Sequence, residues 1–116
     1  ADHQAEEFFR AAVHMRPRVH NHEISLSHET HRGRPLGCAF RTARLCEQLP
    51  ELRLTLDMSH WVISAERLIG ANSEAERQML DFLLHRVDHI HARVGSPESP
   101  QLPSSAFGTA WGGECR

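Results

Sequence analysis

Three short clusters of ligand-type side chains punctuate the chain: Glu29-Thr30-His31, Asp57-Met58-Ser59-His60 and His89-Ile90-His91-Ala92-Arg93. Carboxylates and imidazoles are the oxygen and nitrogen donors of metal sites. Two carboxylates with one imidazole suit Mn²⁺, Mg²⁺, Co²⁺ or Zn²⁺ held with open positions. His89 and His91 are separated by two, so on a strand they share a face. His91 is the nearer to the C-terminal tip and so the better ligand candidate. Each residue alone has a blander explanation, since a Glu at a strand end is usually solvated and a lone His is usually a satisfied polar group. The case for a site rests on where the three clusters fall relative to the elements that carry them.

Those elements are legible from periodicity. Leu52, Leu54 and Leu56 alternate with polar residues, which predicts a strand running into Asp57 and His60. Residues 23–29 alternate in the same way and run into a polar loop, 30–35, punctuated by Gly33 and Pro35. Residues 87–94 form a third strand pattern, ending at Gly95. Between them lie helical patterns. Residues 5–15 carry Phe8, Phe9, Ala12 and Val13 and stop before Pro17, and residues 36–49 are closed by Pro50. After a loop around Gly70, Ser73 and Glu76 have the spacing of a capping box for a helix over 74–86.

The order is α-β-α-β-α-β. Strands joined through helices run parallel, with right-handed crossovers, so all three finish on one edge of a sheet. Neighbouring strands lie ~4.8 Å apart. Glu29, Asp57 and His91 are therefore expected to converge at that edge.

Composition narrows the chemistry. Thirteen basic and fifteen acidic residues leave a net charge of −2 with no single-sign block, which argues against a nucleic-acid-binding stripe. Every basic residue is Arg, so no lysine can form a Schiff base, and there is no tyrosine to act as acid or base. Cys38, Cys46 and Cys115 make an odd count without CxxC spacing, the pattern of reduced thiols, which leads to the expectation of a cytoplasmic protein. Cys38 and Cys46 are expected to be packing residues on one helix face. No apolar run approaches the ~18 residues of a membrane span. The chain opens on Ala1-Asp2-His3 with no initiator Met, the expectation being a processed chain or a piece of a longer one.

The stretches Glu29-Thr30-His31-Arg32-Gly33-Arg34, Asp57-Met58-Ser59-His60-Trp61 and His89-Ile90-His91-Ala92-Arg93-Val94-Gly95, with Pro100-Gln101 beyond, resemble the sugar phosphate isomerase/epimerase family. This is the xylose isomerase-like TIM barrel superfamily. The resemblance covers roughly residues 5–103. It implies an α/β fold, a partial (β/α)₈ TIM barrel of about three βα units. Residues 1–103 would form the central part of the barrel, and residues 104–116 an irregular tail.

The same resemblance implies that Glu29, Asp57 and His91 hold one divalent metal (Mn, Mg, Co or Zn). His60 would be catalytic, with His31 and Arg93 binding the substrate, a small sugar or sugar phosphate. The implied activity is aldose-ketose isomerisation or epimerisation, with the metal polarising a carbonyl and its neighbouring hydroxyl.

Two positions depart from the family pattern. The fourth ligand of the family, a Glu on the last barrel strand, has no counterpart, since Glu114 follows no strand pattern. Pro35 stands where the ketose-epimerase branch carries a catalytic Glu. A full barrel takes ~200 to 250 residues, so a truncated piece is expected, one that self-associates or pairs with missing barrel halves. A non-catalytic barrel remnant is an alternative. So is an apurinic-endonuclease-like hydrolase on the same scaffold, which would need several metals and a basic DNA-facing surface.

Overall fold

At the centre of the fold lies β4 (Leu54–Leu56), the middle strand of a three-stranded parallel sheet between β3 (His28–Glu29) and β5 (Val87–Ile90). The computed structural model describes residues 2–70 and 72–93. The expected tail, Glu114 and Cys115 lie outside the described residues. Around the sheet stand α1 (Asp2–Ala12), a hairpin of β1 (Arg18–Val19) and β2 (His22–Glu23), α2 (Ala39–Gln48), α3 (Met58–Ala65) and α4 (Glu74–Leu84). The architecture is α/β with parallel strands, as the periodicities predict.

The period-two pattern of β4 shows directly in burial. Leu52, Leu54 and Leu56 are buried, while Thr55 between them is half-buried. The leucines form one core with Phe9 of α1, Ala39, Ala43, Leu45 and Cys46 of α2, Trp61 of α3 and Leu83 of α4. Every helix contributes to it, so the leucine face of the sheet is the covered one. Each buried leucine contributes about 1.5–3 kcal/mol. Burial also pushes the Cys46 thiol up to about 11, which makes it an inert packing group, whereas Cys38 is only half-buried at the start of α2.

Strand register places Glu29 level with Thr55 and Thr55 level with His89. A slip between Leu54 and Thr55 leaves Asp88 without a pairing partner on β4. Arg53 takes it up through Nε at 3.1 Å and Nη2 at 2.7 Å. This hydrogen-bonded guanidinium holds the Asp88 carboxyl below its ordinary range and ties the starts of β4 and β5 together.

The loop into α2 is held by buried polar contacts rather than by a cap. The Cys38 side chain makes no cap hydrogen bond. Instead, Thr42 Oγ1 donates to the carbonyls of Cys38 (2.8 Å) and Leu36 (3.3 Å), and the buried Trp61 indole donates to Leu36 at 2.9 Å. A Cβ at Gly37 would stand 2.7 Å from the His31 carbonyl oxygen. Only glycine lets the His31 loop fold down here.

Three local features differ from the periodicity reading. The expected strand over 23–29 is split. Glu23 pairs with Arg18 in the hairpin, and only His28–Glu29 joins the sheet. Alternation marks extended backbone, but pairing also needs a neighbour. The hairpin turns on His20 and Asn21, both at positive φ, the two-residue geometry that matches strand twist; two-residue strands are too short to show a period. Helix α3 follows Asp57 without a loop, because Asp57 itself is its N-cap.

The capping box of α4 forms by half. The Glu76 N–H donates to Ser73 Oγ at 3.1 Å. The Glu76 carboxylate turns away to accept from Gly70 N–H (2.9 Å) and Arg67 (2.7 Å). It thereby pins the connection between α3 and α4. Among the described residues no helix is long and apolar enough to cross a membrane.

Two outcomes are expected. Leu54→Ala, at a fully buried site of the central strand, should cost about 2–5 kcal/mol in urea unfolding, while Leu84→Ala, half-exposed, should cost far less. Glu76→Gln should lower the melting temperature at neutral pH. The Arg67 hydrogen bond, followed by that of Gly70, holds the Glu76 carboxyl below its ordinary value of 4.5. Its stabilisation is therefore present above the unfolded pKa and lost as pH falls through the folded one. The melting difference between wild type and variant should close on acidification through that window.

Candidate functional site

The C-terminal ends of β3 and β4 are sewn together by Thr30. This fully buried hydroxyl accepts from Asp57 N–H at 2.8 Å and donates to the Asp57 carbonyl at 3.3 Å. The backbone ladder continues across the edge, from Thr30 N–H to Thr55 (3.0 Å) and from His91 N–H to Leu56 (2.9 Å). Glu29, Asp57 and His91 are thereby brought to one edge of the sheet.

Asp57 has no solvent exposure. Its Oδ1 is occupied as the N-cap of α3, accepting from Ser59 N–H (3.2 Å) and Ser59 Oγ (2.5 Å). Among the described residues its Oδ2 has no aligned hydrogen-bond donor. The Arg93 guanidinium stands 2.9 Å away as an ion pair, close enough for charge but outside hydrogen-bond alignment. His60 Nε2 is 3.7 Å from the same oxygen, beyond a hydrogen bond. A buried carboxylate oxygen left without a donor is a costly arrangement, and here the groups close to it, Glu29 and His60, are ligand types.

His60 reaches the site because α3 starts at once. It lies one helical turn beyond Asp57, on the same side. It is buried and stacks on His31, the ring centroids 3.9 Å apart and tilted by 34°. Burial lowers its pKa, and His31 beside it acts in the same direction; Asp57 opposes them more weakly. The imidazole is therefore neutral at pH 7, with a lone pair free to take a proton or a metal. Its Nδ1 has no hydrogen-bond partner among the described residues.

One ligand atom each from Glu29, Asp57 and His60 lies within 4.8 Å of the other two. The expected carboxylate pair thus converges. His91 stands beside it, with Nδ1 3.1 Å from Glu29 Oε1, but belongs to the neighbouring pair rather than to this group of three. His31 packs on His60 and contacts the Arg32 carbonyl through Nδ1 at 2.7 Å. Arg93 meets Asp57. His89 is exposed and His28 packs against Phe8 and Phe9, so neither enters the cluster.

Thr30 and Ser59, which position Asp57, are absent from the sequence-based site. Ser59 was detectable, because an Asp followed two residues on by a Ser and then by the apolar run Trp61-Val62-Ile63 is an N-cap pattern. Thr30 was not, since its partner is 27 residues away. The cavity of about 380 Å³ bordered by Val13, Leu26, Arg53 and Asp88 opens at the opposite, N-terminal edge of the strands, away from these groups. Comparison with protein-family models, with curated proteins and with solved structures returns no match.

Proposed function

We propose that this chain is the central part of a xylose isomerase-like TIM barrel, from a metal-dependent sugar or sugar-phosphate isomerase or epimerase. The observation that carries the reading is the meeting of Glu29, Asp57 and His60 at the C-terminal edge of a parallel sheet, with His91 paired to Glu29 beside them. Active sites of parallel barrels lie at that edge.

The residues fit a divalent cation. Among the described residues Asp57 Oδ2 is buried without a donor, Glu29 is part-exposed, and the His91 imidazole stands 3.1 Å from Glu29 Oε1. Two carboxylates and one imidazole suit Mn²⁺, Mg²⁺, Co²⁺ or Zn²⁺ and leave positions for substrate oxygens. When bound, such an ion supplies Lewis-acid polarisation of a carbonyl and its neighbouring hydroxyl.

In this reading Glu29 and Asp57 are ligands and His91, next to Glu29, is the third. His60, neutral and adjacent, moves the proton. His31 orients His60 by stacking, and Arg93 at the mouth binds substrate oxygens. Ser59 and Thr30 fix the direction of Asp57. The strands β3 and β5 are the sheet edges among the described residues, and Ile90 beside the site is 66% exposed. Both features support closure by further barrel strands or by a second copy.

Two substitutions test this. Asp57→Ala should abolish retention of a stoichiometric divalent metal, measured by elemental analysis after dialysis. Metal content equal to wild type would remove the site. His60→Ala should keep the metal while turnover of an aldose or ketose phosphate by the full-length protein falls ~10²- to 10⁴-fold, the usual contribution of a positioned acid-base group. Loss of metal in His60→Ala with retention in His91→Ala would instead make His60 the third ligand.

A further inference from the structure

The contact between Arg93 and Asp57 has a second meaning once the surroundings of the carboxylate are considered. Asp57 is fully buried, and Ser59 takes up Oδ1 with two donors. The charge on the other side of the carboxylate is met by the Arg93 Nη2 at 2.9 Å. Arg93 lies three residues beyond the end of β5, its side chain is about a third exposed, and the contact lacks hydrogen-bond alignment. Oδ2 is also the atom that faces His60 at 3.7 Å, within the Glu29–Asp57–His60 group.

A guanidinium and a divalent cation cannot both sit against one carboxylate oxygen without strong like-charge repulsion in a desolvated site. We propose that Arg93 is an internal counter-cation, which holds Asp57 in ligand geometry when no divalent ion is bound and is displaced from Oδ2 when one binds. The inference rests on the cation-binding reading of this site and adds a competitor within the chain. Arg93 then sets the affinity of the site: it keeps the empty carboxylate buried and paired, and it raises the threshold of free ion needed for loading. Displacement also frees a planar donor fork at the mouth, next to the substrate positions.

The two occupants are linked thermodynamically. If Arg93 stabilises only the ion-free state, its removal must strengthen ion binding by the same factor by which it weakens the ion-free fold. A merely structural Arg93 would stabilise both states equally. Mn²⁺ alone is the probe, titrated calorimetrically into the whole chain and its Arg93→Gln variant, with thermal unfolding of both proteins at zero and saturating Mn²⁺.

The expected result is an affinity for Mn²⁺ higher by roughly tenfold in Arg93→Gln, within the usual range for coupled sites. The melting temperature of the variant should be lower without Mn²⁺ and equal to wild type with it. If Arg93→Gln does not fold, Arg93→Lys keeps the charge but loses the fork, and should give an intermediate gain in affinity. In an Asp57→Asn background the same Arg93 change should leave unfolding unaltered. Equal Mn²⁺ affinity in wild type and variant, or a melting deficit that persists at saturating Mn²⁺, overturns the counter-cation role while leaving the cation site standing. Failure of both proteins to bind Mn²⁺ overturns the site and the counter-cation together.

Discussion

A carboxylate at zero solvent exposure dominates the organisation of this protein. Asp57 closes β4, caps α3 through Oδ1, joins β3 through Thr30 and meets β5 through Arg93. Burying such a group is unfavourable unless donors and opposite charge surround it. The surrounding structure reads as the set of elements that meet this requirement. Thr30 aligns the backbone, Ser59 fixes the rotamer and Arg93 supplies charge from the far strand. The result is that three strand ends, distant in sequence, are held to one point.

The hydrophobic layer makes that arrangement affordable. Leu52, Leu54 and Leu56 lock β4 into a core to which every helix contributes, so the strand cannot slide without moving leucines from core to solvent. With β4 fixed, its opposite face is free to carry polar work. Arg53 and Asp88 brace the N-terminal end of that face, Ser27 and Thr55 share a 2.6 Å hydrogen bond in the middle, and Asp57 ends it. The chemistry-bearing edge and the structural edge are thus separated by the length of one short strand.

His60 shows how burial creates reactivity. An imidazole in water is half-charged near pH 6.5. Enclosed beneath His31 and behind Asp57, it is held neutral mainly by desolvation. A neutral ring beside a buried carboxylate suits both roles open to it, proton carrier and ligand, and it is one helical turn of α3 that places it there.

Apart from the β1–β2 hairpin and α3, which it did not show, the sequence by itself determined the helical stretches that became α1, α2 and α4, the three-stranded parallel sheet and the edge to which Glu29, Asp57 and His91 are brought. These follow from local periodicity and from the handedness of crossovers, which need no knowledge of distant contacts. Tertiary structure alone decided the rest. The 23–29 segment splits because only two of its residues find a neighbour on β4. Glu76 abandons half of its capping box because a buried carboxylate gains more from Arg67 and the Gly70 N–H than from its own helix start. His60 rather than His91 stands in the tight group with both carboxylates, because α3 begins directly on Asp57 while the His91 Nδ1 is drawn to Glu29. Arg93 is a free donor in sequence and a counter-charge in space. Each of these outcomes turns on a partner roughly one helical turn or a whole strand crossing away. Residue patterns read along the chain report which groups can face one another, and packing decides which of them finally do.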